Sequence, residues 1–192
     1  GGGNLYLPGL LKGMVQQGHE VHLVVKGIPN PKIIDAISDS GAVIHTRPWK
    51  KRGLVKEMAA LLADWVNQLQ PDVYMISASY EIGWLALPLL DEQIATFAVA
   101  HSNNHGFYQP VKHYRDFITI AIGVSHEICN QYQITCGLPK ERIQWIPYGI
   151  NPAAALENRT GSDTLHVIFA GRLEEFEKRI SDVKEIIKKL AA

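Results

Sequence analysis

Short runs of β-branched and aliphatic residues alternate along the chain with segments whose apolar positions recur every three to four residues. The run 19-HEVHLVV-25, set off by Gly18, reads as a buried strand. Ahead of it, Leu7, Leu10, Leu11, Met14 and Val15 stand at helical spacing. Pro8 fits only a first turn, so this helix is expected to start near Leu7 and to stop at a left-handed Gly18. A short strand, 42-AVIHT-46, comes next. It leads to a helix over Leu54 to Leu69 that buries Val55, Met58, Leu62, Trp65 and Leu69 and ends at Gln70-Pro71-Asp72.

The runs 73-VYMISA-78, 94-IATFAVA-100 and 118-ITIAIGV-124 are apolar at successive positions, the mark of parallel strands covered on both faces. Helical segments are expected near Glu81–Leu90 and Ser125–Tyr132, with Ser125 as a cap. A last strand, 143-IQWIP-147, runs into the Gly-, Pro- and Asn-containing stretch 148-YGINPAAALENRTGSD-163. A strand–helix pattern then restarts at Leu165.

Strand–helix alternation of this kind predicts an α/β fold with a doubly wound, Rossmann-like parallel sheet. Ligands of such sheets sit at the carboxyl ends of the strands. That rule selects the loops Gly1–Asn4, Ala78–Glu81, His101–Tyr108, Tyr148–Asn151 and Gly171–Lys178. A glycine run leads straight into the first helix, where a doubly wound domain has its first strand. One strand–helix unit at the far end cannot bury its own apolar surface. The expected organisation is therefore residues 1–155 as one domain and 156–192 as a linker with the first unit of a second, within a longer two-domain protein.

Length and composition fit this picture. At 192 residues, with 46% apolar and 20% charged residues, the chain suits one globular domain and part of another. Lys plus Arg and Asp plus Glu both number 19, which argues against a broad nucleic-acid footprint. Cys129 and Cys136 are read as lying on one helix, too far apart for a disulfide, since bridged Cα atoms rarely exceed about 7 Å. No run reaches the roughly 18 apolar residues of a spanning helix, and no signal peptide is evident. A cytosolic protein is expected, with surface attachment to a membrane left open.

Three groups of residues carry candidate chemistry. Gly1-Gly2-Gly3 before a helix suits an anion at the helix start, or equally a flexible leader; it is not G-x-G-x-x-G. The imidazoles, amides and phenol of 101-HSNNHGFY-108 suit a hydroxyl-rich ligand, although position alone favours a loop that caps its own backbone. His101 and His105 alone do not make a zinc site, so no metal is expected. Gly171 allows close approach at a strand end, and Arg172 with Lys178 suits a diphosphate. Solvated charges, with Lys178 paired to Glu174 or Glu175, satisfy the same pattern.

Taken in order, these stretches resemble the GT-B glycosyltransferases, and within them the large retaining group of glycogen and mannosyl transferases, family GT4. The resemblance is carried by Gly1-Gly2 with 18-GHEVHLVV-25, by His101 at a strand end, by 123-GVSHEICNQY-132, by 139-PKERIQWIPYGIN-151 and by 168-IFAGRLEEFEKR-179. It implies a nucleotide-sugar donor, a UDP- or GDP-sugar, lying between two Rossmann-like domains. Arg172 and Lys178 would hold its diphosphate without a divalent metal, Gly1 and Gly2 would cover the phosphates, and His101 would orient the donor sugar. The acceptor would be a sugar, lipid-linked or other hydroxyl, with Tyr80, Glu81, Asn103, Asn104 and Tyr108 as candidate contacts. The family's later pair of glutamates is not in the sequence, so this chain alone is expected to be inactive. Arg179 stands where the family has glycine, so the local turn is expected to differ. The alternatives are a nucleotide-sugar epimerase or a binding module of the same architecture, followed by a flavodoxin-like or NAD-binding domain.

Overall fold

The structure, a computed structural model, describes residues 3–26, 31–47, 54–77, 81–149, 167–171, 173, 175 and 179–190. They divide into two units, Gly1–Ile150 and Asn151–Ala192. In the first unit, helix α1 (Gly3–Gln16) precedes strand β1 (His22–Lys26), α2 (Pro31–Ser38), β2 (Val43–Arg47) and α3 (Val55–Leu69). There follow β3 (Val73–Ile76), α4 (Glu81–Ala86), β4 (Ala95–Ala100), α5 (His105–His113), β5 (Ile120–Gly123), α6 (His126–Ile134) and β6 (Ile143–Trp145). Short 3-10 turns at Leu87–Leu89, Arg115–Phe117 and Lys140–Arg142 fill three of the connections.

All pairing between described strands is parallel. β1 pairs with β2 from His22↔Val43 to Lys26↔Arg47. A four-stranded sheet runs in the order β3-β4-β5-β6. The mixed α/β architecture with parallel sheets is the Rossmann-like one expected from the sequence. Sequence-neighbouring strands lie side by side because each crossover helix returns the chain to the same end of the sheet.

Two apolar clusters cover this sheet. One gathers Ile76, Trp84, Ala98, Tyr108, Val111, Ile128 and Tyr132 with their neighbours. The other gathers Ala59, Leu62, Ala63 and Val66 of α3 with Ile82, Ala86 and Ile94. Small residues on β4 and β5 leave room for the large rings: Tyr108 and Tyr132 meet edge to face at 5.9 Å. Tyr132 donates to the Ile122 carbonyl at 3.3 Å. At the amino ends of the strands, Thr96 and Thr119 cross-link β4 to the approach of β5. The Thr96 amide donates to Thr119 Oγ1 at 2.9 Å, and the Thr119 amide to Thr96 Oγ1 at 3.1 Å.

Several boundaries depart from the sequence reading. Helix α1 begins at Gly3, four residues before Leu7, so Pro8 lies inside it. Proline has no N–H, so the Asn4 carbonyl lacks its helical partner there; the apolar stripe, with Leu11 buried, carries the helix across. Gly18 does take the left-handed conformation, φ 87°, and Gln70 does so at the end of α3, φ 50°. The stretch read as a loop at 101–108 turns into helix α5 from His105, and α2 was not foreseen. Cys136 lies beyond the end of α6 rather than on it; it is buried, and its thiol donates to the Tyr108 carbonyl at 3.4 Å.

In the second unit, α7 (Ile180–Leu190) is the regular element among the described residues. Residues 167–170, expected within a strand, pair with no described neighbour, and a strand exists only through its ladder. Glu175 accepts from the Ser181 amide at 3.1 Å and from its hydroxyl at 2.8 Å, tying down the start of the helix. Those bonds hold the Glu175 carboxyl below the usual glutamate value. Arg179 takes φ 48°, the left-handed region that favours glycine, and pairs with Asp182 at 2.7 Å. The backbone thus adopts a glycine-like turn with an arginine in it. No helix among the described residues is long and apolar enough to cross a membrane.

Candidate functional site

Parallel strands bring their carboxyl ends to one edge, and a connected polar cluster of the first unit lies there. Ser77 follows Ile76, the last residue of β3; His101 follows Ala100, the last of β4; Tyr148 stands three residues past the end of β6. The register Ile76↔Ala98 and Ala100↔Gly123 fixes these ends relative to one another. Tyr6, on the first turns of α1, completes the group.

His101 is at the centre. Its Nε2 lies 3.0 Å from Ser77 Oγ and 3.1 Å from the Tyr6 hydroxyl, and these two hydroxyls are hydrogen-bonded to each other. Its Nδ1 lies 2.7 Å from the Tyr148 hydroxyl. The Tyr148 ring is stacked on the imidazole at 5.8 Å with 7° between planes, Tyr6 is tilted against it at 4.8 Å, and Phe107 meets it edge-on at 6.3 Å.

Burial among these rings pulls the His101 imidazole below the ordinary histidine value, against a backbone hydrogen bond to Ser77 that raises it. Burial likewise raises the Tyr6 phenol, with the Ser77 bond working the other way, and it raises Tyr148, helped by Tyr6. The cluster is therefore neutral: an uncharged imidazole held by three hydroxyls and flanked by aromatic faces. Such a group offers hydrogen bonds of the kind that a hydroxyl-bearing ligand can make. Among the described residues, no group of three or more His, Cys, Asp or Glu side chains could hold a metal ion.

Comparison with known proteins gives the family and the fold. A family model described as "Glycosyltransferase Family 4" matches residues 1–154. The chain belongs to that family. No curated protein matches the chain at a significant level. A solved structure, the crystal structure of a glycosyltransferase from Rickettsia africae ESF-5, is similar with a TM-score of 0.54 and 11% identity over 78% of the chain. At that identity the likeness concerns the fold. The chain spans 39% of the length of that structure.

Within this family 4 chain the sequence-selected residues fare differently. His101 lies at the centre of the cluster. Glu81 opens α4 and is exposed. Asn104 is the N-cap of α5, its side chain accepting from the Gly106 amide at 2.8 Å. Asn103 accepts from the Tyr108 hydroxyl at 2.8 Å, and Tyr108 is 4% exposed, in the core rather than on a loop surface. His105 lies 3.0 Å from the Gln109 amide nitrogen, one turn on along α5. Gly171 is described, and a Cβ there would meet the Phe169 ring at 3.0 Å. Gly1, Gly2, Tyr80, Arg172 and Lys178 lie outside the described residues.

Of the cluster, Tyr6 and Ser77 were not singled out from sequence, and Tyr148 only as the first residue of the selected loop Tyr148–Asn151. A signal for Ser77 existed, since it lies at the end of a strand whose carboxyl end the doubly wound rule already marks. Tyr6 carries no such mark. Its place follows only from how α1 lies against the sheet edge.

Proposed function

We propose that the chain is the acceptor-side part of a retaining glycosyltransferase that moves a sugar from a nucleotide-sugar to an acceptor hydroxyl, in glycan, glycolipid or cell-surface polysaccharide synthesis. The single observation that carries this reading is the neutral His101 cluster at the carboxyl edge of the sheet in a family 4 chain. A half-buried, uncharged imidazole among hydroxyls and rings suits a sugar better than a phosphate, which calls for fixed positive charge.

In this reading the donor, a UDP- or GDP-sugar, places its sugar against His101, while Gly1 and Gly2 approach its phosphates. Arg172 and Lys178 neutralise the charge that builds on the departing nucleoside diphosphate, without a divalent metal. The bond from the sugar's anomeric carbon to the phosphate oxygen breaks and one to the acceptor oxygen forms on the same face. The acceptor's proton passes to the departing phosphate. The enzyme acts in the cytoplasm or at the inner face of a membrane.

The test uses the natural protein that contains this chain, incubated with a panel of UDP- and GDP-sugars and assayed for nucleoside diphosphate release. Release that falls at least tenfold in kcat/KM with His101→Ala, Arg172→Ala or Lys178→Ala supports the assignment. Unchanged kinetics in the His101 variant would overturn the role given to that residue. The 192-residue chain alone should bind these donors weakly or not at all; low-micromolar affinity by calorimetry would contradict that.

A further inference from the structure

The hydrogen-bond pattern around His101 fixes more than its position. A neutral imidazole has one N–H and one lone-pair nitrogen. Nε2 faces Ser77 and Tyr6, whose hydroxyls are already bonded to each other. A phenol donates more readily than it accepts, and the Tyr148 phenol makes the shortest contact to the ring, 2.7 Å from Nδ1, which assigns the lone pair to Nδ1 and the hydrogen to Nε2. Only a donor can approach Nδ1 to 2.7 Å, and the group found there is the Tyr148 phenol.

We propose that Tyr148 is a positioning residue for His101: its hydroxyl donates to Nδ1, fixing the imidazole as the Nε2–H tautomer in one ring plane at the sugar-facing edge of the sheet. The stacked Tyr148 ring supplies the orientation, 7° from parallel, and the phenol supplies the tautomer. Tyr148 is 43% exposed, so its oxygen is the outward end of the chain of hydroxyls that begins at Ser77 and Tyr6. A phenol that donates inward keeps lone pairs for a hydroxyl arriving from outside. The polar edge presented there is thus an acceptor, suited to the O–H groups of a neutral sugar. This assignment rests on the reading of His101 as the sugar-orienting residue, but its test needs no sugar.

The experiment is long-range proton–nitrogen correlation on the uniformly nitrogen-15-labelled chain at neutral pH, with His101 assigned by its loss in His101→Gln. The expected spectrum has Nε2 in the protonated range and Nδ1 in the unprotonated range. In Tyr148→Phe, which keeps the stacked ring, the Nδ1 resonance should move downfield while Nε2 holds. Fluorinated tyrosine at position 148, a stronger donor, should move Nδ1 the opposite way; this second arm decides the matter if the Phe variant perturbs the backbone spectrum. An Nδ1–H tautomer in the parent, or an Nδ1 resonance indifferent to both replacements, would overturn the proposal. Those outcomes leave the donor-release assay untouched, and a failed donor assay leaves the tautomer result standing.

Discussion

The hydroxyl of Tyr6 and Nε2 of His101 lie 3.1 Å apart although 95 residues separate them in the chain. The contact joins the first helix to the end of the second strand of the four-stranded sheet, with Ser77 bonded to both. Tyr6→Phe keeps the ring contact at 4.8 Å and removes the hydroxyl. Loss of a half-buried hydrogen bond costs about 0.5–1.5 kcal/mol, so the midpoint of urea unfolding should fall by that equivalent. A midpoint equal to the parent's would mean that the phenol contributes nothing to holding α1 on the sheet.

His101 gives the fold a defined response to acid. Its folded pKa is depressed below the ordinary 6.5 by burial. Between the folded and unfolded values the unfolded chain binds more protons, so stability falls as pH drops through that window. The contribution is complete above pH 6.5 and is lost progressively below it, down to the folded value. Denaturation midpoints at pH values of about 7.5 and 5.5 should therefore differ more in the parent than in His101→Gln. An identical difference in the two would assign the acid response to other groups.

Gly123 ends β5 where α6 comes closest. A Cβ there would lie 2.7 Å from Cys129 Sγ, 3.0 Å from Ile128 Cγ2 and 3.1 Å from the Cys129 backbone nitrogen. Gly123→Ala should destabilise by about 1–3 kcal/mol, as overpacking does. Adding Cys129→Ala removes the sulfur but not the backbone clash, so the double variant should recover part of the loss. Full recovery would show that the backbone approach is immaterial.

Asn104 was selected by sequence as a candidate acceptor contact, and its side chain caps α5. Asn104→Ala should cost about 1 kcal/mol, and Asn104→Asp much less, because both Asn and Asp cap well. Thermal unfolding of the two variants would check this. Equal losses would imply that the amide NH₂, rather than the cap, is what the protein uses.

Much of the framework was legible because burial writes itself into the sequence. The runs around Val73, Ala95 and Ile120 are apolar on both faces, and the α3 stripe recurs at helical spacing. Strand ends were overrun by one to several residues, since an apolar run extends past the ladder that defines the strand. Helix α5 escaped notice for a physical reason. It opens His-Gly-Phe-Tyr and contains Pro110, a poor helical sequence, and it owes its form to the Asn104 cap and to burial of Tyr108 and Val111. His101 was marked by its strand-end position together with the family resemblance. Its partners were not, because sequence spacing says nothing about which side chains a crossover brings to the same edge. The Arg179 turn makes the same point in reverse, since the left-handed backbone survives where the residue type argues against it.

The cluster draws on the first helix, on the ends of β3 and β4, and on the segment after the last strand of its unit, from Tyr6 to Tyr148. Contacts of such long sequence separation close late, because the intervening loops must be ordered before they can form. During synthesis the imidazole must therefore wait for the last strand to leave the ribosome before it finds its final partner. That makes it a natural sentinel: a nascent or prematurely terminated domain retains the histidine but lacks Tyr148, and the hydrogen-bonded cluster is complete only with the closing segment.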